Sequence, residues 1–194
     1  MFCDDAEIAT IGRMDVTQPK RIVVVGTGCS GKTTFSRALA LKLQVQHIEL
    51  DALYWKADWT PTPKDDFRSL VKQVVAPETW VMDGNFSVVR DITWPRATTL
   101  IWLNYPFRVV AWRALRRTFR RVFGRQVLWS GNKETFFLAF MSQDSVLWLV
   151  WKTHSKKQRE YSRLLKEPEN RHLQIVIFTS PEEAEKFLQT INQQ

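Results

Sequence analysis

Short apolar runs alternate along this chain with segments whose apolar residues recur at helical spacing. Arg21-Ile22-Val23-Val24-Val25 is a β-branched run closed by Gly26, and residues 34–43 place Phe35, Leu39 and Leu43 on one helical face. Residues 45–50 predict a second strand that stops at Asp51. Leu53, Tyr54, Trp55 and Trp59, interspersed with Pro61 and Pro63, predict a loop. Residues 65–75 predict a helix with Phe67, Leu70, Val71 and Val74 inward. Residues 79–82 predict a strand ending at Asp83, and residues 98–103 another ending at Asn104. Residues 107–125 predict a long helix with Trp112, Leu115, Phe119 and Val122 as its buried stripe, and 129–157 predict amphipathic helical packing. A last strand over 172–178 and a last helix over 181–191 complete the pattern. Strands alternating with helices predict a parallel sheet covered on both faces.

At 194 residues the chain suits one domain with a sizeable core, 20–194, preceded by a loosely ordered polar tail over 1–19. Residues 1–20 lack the apolar stretch of a secretory signal. The most apolar segment, 136–151, is interrupted by Ser142, Gln143, Asp144 and Ser145, short of the ~20 apolar residues of a membrane span. Two cysteines, Cys3 and Cys29, make no disulfide framework, so a cytoplasmic, reducing setting is expected. The net charge of +8 and pI near 9.7 call for an anionic partner, either phosphate-bearing small molecules or nucleic acid.

Gly26-Thr27-Gly28-Cys29-Ser30-Gly31-Lys32-Thr33-Thr34 supplies the chemistry. The spacing G-x-x-x-x-G-K-[ST] is that of the phosphate-binding loop (P-loop) of nucleoside triphosphate enzymes. Glycines let the backbone turn and approach a ligand, so that loop amides and the positive end of the next helix surround an anion. In this pattern Lys32 reaches the β- and γ-phosphates of ATP and the Thr33 hydroxyl ligates Mg²⁺. Cys29 is either a small loop residue or a thiol with a depressed pKa beside Lys32.

In parallel sheets ligands gather outside the carboxyl ends of the strands, where the loop, Asp51, Asp83 and Asn104 all fall. Asp83 either holds a Mg²⁺-bound water opposite Thr33 or opens an Asp-Gly turn. Asp51 either orients and deprotonates an acceptor hydroxyl or caps a helix. Arg90, beside Asp91, either clamps a second anion or forms a surface ion pair. The 107–125 helix carries Arg108, Arg113, Arg116, Arg117, Arg120, Arg121 and Arg125 with no acid. Such a face suits charge stabilisation in phosphoryl transfer, with Arg113, Arg117 and Arg120 first among the candidates. Binding to nucleic acid is the competing use.

The chain resembles the adenylate kinase-like P-loop kinases, and more narrowly the proteins designated DNA topology modulation proteins. The matching residues are the 26–34 loop, Leu50-Asp51-Ala52-Leu53-Tyr54-Trp55, Trp80-Val81-Met82-Asp83-Gly84-Asn85-Phe86 and Trp102-Leu103-Asn104-Tyr105-Pro106. The resemblance implies an α/β, three-layer P-loop NTPase fold with a five-stranded parallel sheet and a helical, arginine-rich lid over about 113–157. It implies an ATP- and Mg²⁺-dependent phosphotransferase with a small-molecule acceptor, Asp83-Gly84 facing that acceptor and Arg90 clamping its phosphate. Asn85-Phe86-Ser87 replaces the Phe-Pro-Arg that follows Asp-Gly in adenylate kinase, and Asn104 stands where related sequences carry Asp. The alternative is a nucleic-acid-binding regulator of DNA topology with an ATP-binding loop.

Overall fold

The β-branched runs become five strands: β1 (Arg21–Gly26), β2 (Gln46–Glu49), β3 (Trp80–Asp83), β4 (Thr99–Leu103) and β5 (Gln174–Phe178). A computed structural model describes residues 20–84, 86–124 and 146–191 of the chain. The strands form one parallel sheet in the order β2-β3-β1-β4-β5, with β1 at its centre. The chain therefore winds in opposite senses on the two sides of β1, and the crevice at that reversal is where such sheets hold ligands.

Alternation along the strands sorts the core into two layers. Val23, Val25, Trp80, Met82, Leu100 and Trp102 face α3 (Lys64–Val74) and α6 (Val146–Leu164), through Phe67, Val71, Tyr161 and Leu164. Ile22, Val24, Val81, Ile101, Leu103, Val176 and Phe178 face α1 (Lys32–Leu43), α5 (Phe107–Gly124) and α7 (Pro181–Thr190). The result is an α/β/α sandwich buried on both faces, as near-continuous apolar strands require. Ser180 starts α7 by accepting the Glu183 amide at 3.2 Å, while the Glu183 carboxylate accepts the Thr179 amide at 2.8 Å. This reciprocal cap satisfies the helix's first donors and fixes Pro181 at its first turn.

Three expectations change. The strand predicted over 45–50 ends at Glu49, and Asp51 lies in the first turn of the short helix α2 (Leu50–Tyr54), where its charge suits the helix dipole. Helix α5 is rotated from the predicted stripe: Val110 and Ala114 are fully buried, whereas Trp112 is 67% and Phe119 50% exposed. The small Ala114 lets the helix lie close to the sheet, and the same rotation carries Arg113 and Arg117 toward the phosphate loop. In α3, Phe67 and Val71 are buried but Leu70 is exposed. The 1–19 tail, Asn85, residues 125–145 of the expected lid, and the side chains of Arg120, Arg121 and Val122 lie outside the described residues.

Helix α6 is tied to the carboxyl ends of the strands. His154 contacts the Tyr105 carbonyl through Nε2 at 3.0 Å, and Gln158 donates to Asn104 Oδ1 at 2.8 Å. No helix among the described residues is long and apolar enough to cross a membrane.

Candidate active site

The loop between β1 and α1 needs three left-handed or near-extended turns of backbone. Gly26 has φ 157°, Cys29 63° and Gly31 90°. A β-carbon on Gly26 would sit 2.8 Å from both the Leu103 carbonyl oxygen and Ser30 Oγ, and one on Gly31 2.8 Å from Arg113 Nη1. Gly26 is therefore closed to larger residues by a backbone contact as well as by φ, and Gly31 by its φ, since the Arg113 side chain near it can move. Cys29, a non-glycine residue in the left-handed region, adds local strain of the kind found at ligand-binding loops. Ser30 is fully buried, Gly28 and Thr34 are exposed, and Thr27 lies 5% exposed at the loop's base. Gly31 caps α1, so the amides of Lys32, Thr33 and Thr34 form a first turn without intrahelical acceptors. That turn is a ready anion site.

Lys32 folds back over this hollow and donates to the carbonyls of Gly26 at 3.1 Å and Thr27 at 3.0 Å. Burial lowers its pKa, while Asp51, Asp83 and Cys29 pull the other way. Asp51 is raised above the usual carboxylate range by burial, helped by Asp83 and Glu49 and opposed by Lys32. Two of the predicted acids and the predicted lysine are thus brought to one place.

Sequence reasoning missed Glu49. It lies in register with Asp83 across the β2–β3 pair, and its Oε1 accepts the Thr33 hydroxyl at 3.3 Å. The signal was available in the alternation of β2, which puts residues 47 and 49 on the face shared with Asp83. Asp83 itself is 2% exposed, and neither carboxylate oxygen has a hydrogen bond. His47 Nε2 stands 3.5 Å from Asp83 Oδ1. The two Asp83 oxygens and the Thr33 hydroxyl are hard oxygen donors of the kind that Mg²⁺ takes, while no group of three or more His, Cys, Asp or Glu among the described residues is arranged to hold a metal ion. Asn104 is engaged by Gln158 and is not part of this group.

On the other side of the loop Arg113 donates Nη1–H to the Ser30 carbonyl at 2.5 Å and lies 5.2 Å over the Tyr105 ring. Burial pushes the Tyr105 phenol up to about 12, against the opposing pull of Arg113. Arg113, Arg116 and Arg117 join Ser30, Gly31, Thr34, Pro181 and Glu185 around a cavity of about 640 Å³. Arg117 also acts electrostatically on Lys32 and Asp51, so the helix reaches both sides of the loop.

Arg90 is placed differently from the rest. Its Nη2 meets Glu160 of α6 at 2.7 Å and its guanidinium lies 5.1 Å over Trp94, while Asp91 is gripped by Arg68 through two hydrogen bonds of 2.8 and 2.7 Å. Arg90 also lines a small space with Leu50, Gly84, Phe86, Thr93 and Tyr161, of which Leu50 and Gly84 are the chain neighbours of Asp51 and Asp83. Beside it, Tyr54, Phe67 and Phe86 make an aromatic wall, with ring centroids 4.6 to 5.3 Å apart.

No protein-family profile matches the chain, and no curated protein matches it by sequence. Solved structures do match. A shikimate kinase from Bacteroides thetaiotaomicron is similar with a TM-score of 0.54 at 16% identity, over 90% of this chain and 97% of that one. A shikimate kinase from Acinetobacter baumannii, in complex with shikimate, gives 0.51 at 18% identity, over 91% and 92%. A gluconokinase from Sinorhizobium meliloti 1021 gives 0.48 at 19% identity, over 90% and 94%. At these identities the likeness concerns architecture alone, and the five-stranded parallel α/β fold of this chain is shared with the two shikimate kinases.

Proposed function

We propose that the protein is a Mg²⁺- and ATP-dependent phosphotransferase acting on a small hydroxyl- or phosphate-bearing acceptor, of the adenylate kinase-like kind, and similar to the DNA topology modulation proteins. The observation that carries this reading is Asp83: a strand-end carboxylate, buried, without a hydrogen bond, facing the lysine of a phosphate loop. Such a group persists where a ligand completes it.

In this reading the amides of residues 27–34 and Lys32 hold the β- and γ-phosphates, and the cavity beside Arg113, Arg116 and Pro181 receives the nucleoside. Thr33 and Asp83 hold Mg²⁺, with Glu49 orienting the Thr33 hydroxyl. Magnesium, when bound, neutralises charge on the phosphate oxygens. Asp51 accepts the proton of the acceptor hydroxyl, a task that its raised pKa suits. Arg113, Arg117 and Arg120 stabilise charge on the transferring group. Arg90 contacts the acceptor. The shikimate kinases that share the fold, one of them in complex with shikimate, are in keeping with a small-molecule acceptor.

The alternative, a nucleic-acid-binding regulator, drew on the arginines of α5. Arg113, Arg116 and Arg117 line the cavity beside the loop, where a nucleotide's phosphates account for them. The test is a screen for phosphoryl transfer from ATP·Mg²⁺ to polyols, sugar acids, nucleosides and nucleoside monophosphates. Transfer to one class supports the reading. ATP left intact with every acceptor, together with tight salt-sensitive DNA binding, contradicts it.

A further inference from the structure

We propose that His47 is a positioning residue for Asp83, holding one carboxylate oxygen so that the other is presented to the phosphate loop. The inference rests on the phosphotransferase reading for its meaning, but on the structure for its geometry. Strand β2 pairs with β3 in the register His47 to Val81 and Glu49 to Asp83. Alternation then puts His47, Glu49, Val81 and Asp83 on one face of the sheet, with His47 one pleat below the carboxylates. There its Nε2 lies 3.5 Å from Asp83 Oδ1, with side-chain exposures of 16% and 2%.

Three buried polar atoms without hydrogen bonds meet at this spot: His47 Nε2, Asp83 Oδ1 and Asp83 Oδ2. Two of them are complementary. An imidazole with its proton on Nε2 aims a donor at the carboxylate, whereas the other tautomer would aim a lone pair at it and be repelled. The 3.5 Å separation is long for a hydrogen bond, as contacts between catalytic groups often are before a substrate tightens them. A half-buried β-strand position packs best with a β-branched side chain, so a histidine facing the acid has a polar task there. Direct metal ligation is not that task, because Mg²⁺ takes oxygen ligands. A carboxylate is planar, so fixing Oδ1 fixes where Oδ2 points. The charged groups sharing this environment are Lys32, Asp51, Glu49 and Arg117, of which Lys32 and Arg117 are cations. Lys32 is itself anchored on loop carbonyls at 3.1 and 3.0 Å, and neither Lys32 nor Arg117 hydrogen-bonds an Asp83 oxygen, so the contact that can orient the carboxylate is the one to His47.

The experiment compares the wild type with His47→Leu, which removes the donor, and His47→Gln, which keeps a donor at similar reach. Crystal structures of the three report the Asp83 carboxylate, calorimetry reports Mg²⁺ and ATP binding, and turnover is followed against Mg²⁺ concentration. In His47→Leu the Asp83 carboxylate is expected to rotate, kcat to fall by about tenfold or more, and half-saturating Mg²⁺ to rise. That is the rate equivalent of one hydrogen bond to a charged group. KM for ATP should stay within about twofold, since the loop is untouched. His47→Gln should recover most of the loss. An Asp83 carboxylate that keeps its place in His47→Leu, or variants that lose melting temperature without any change in Mg²⁺ dependence, overturns the proposal. If His47→Leu does not fold, the position of Asp83 in His47→Gln decides. If the wild type transfers no phosphate, the kinase reading falls while the crystallographic and Mg²⁺-binding comparisons still judge His47.

Discussion

Arg113 donates Nη1–H to the Ser30 carbonyl at 2.5 Å across 83 residues of sequence. The contact joins the arginine helix to the phosphate loop, and the same guanidinium nitrogen stands where a β-carbon on Gly31 would need to be. Helix and loop are therefore one unit: α5 supplies the wall of the cavity and the loop supplies its floor.

Removing this arginine should weaken nucleotide binding without unfolding the chain, because the core side of α5 is carried by Val110 and Ala114. Arg113→Ala is expected to weaken ATP binding by about tenfold, in line with the loss of a charge-assisted contact. Arg113→Lys should recover little, since an ammonium cannot both reach the Ser30 carbonyl and lie over Tyr105 as a planar fork does. Calorimetric titration with ATP·Mg²⁺ measures both.

Asp83→Asn separates stability from function. The buried carboxylate has no hydrogen bond, and Lys32 keeps its carbonyl partners and Asp51 when the charge is removed. The variant is expected to unfold at the same or higher denaturant, with a gain of up to about 1 kcal/mol, while losing turnover by about 100-fold or more. Chemical denaturation and steady-state rates on the same preparation check the two halves.

The acid side of the pH profile should report Asp51. Burial raises its folded pKa above the ordinary value, so the folded protein holds a proton there that the unfolded chain has already released. Stability attributable to Asp51 is present at low pH and falls as pH rises from the unfolded value through the folded one. Activity runs in the opposite direction, since only the ionised form accepts a proton. The acid limb of kcat/KM is expected above the usual carboxylate range, and Asp51→Asn should abolish that limb along with most of the rate.

Much of this site can be read directly from the chain. The glycine spacing of 26–34 dictates the loop, and the short apolar run closed by Asp83 places that acid at a strand end, whereas Asp51, expected to close a strand, lies in the first turn of α2 because β2 already ends at Glu49. Glu49 escaped because it sits inside a strand run, where a charge reads as an ordinary exposed position. Its role comes from the β2–β3 register, a pairing between segments far apart in sequence. The rotation of α5 escaped for a related reason. Its largest apolar side chains, Trp112 and Phe119, set the predicted stripe, yet close approach to the sheet selects the small Val110 and Ala114 instead. Hydrophobic size ranks faces in isolation, whereas packing distance ranks them in a sandwich.

The central claim is that the 26–34 loop and Lys32 hold the phosphates of ATP. Isothermal titration of the wild type and Lys32→Ala with ATP, in the presence of Mg²⁺, tests it most directly. The account expects saturable binding by the wild type that weakens by at least about tenfold in Lys32→Ala, the cost of one charged contact to a phosphate. Equal affinity in the two proteins, or no binding by either, contradicts it.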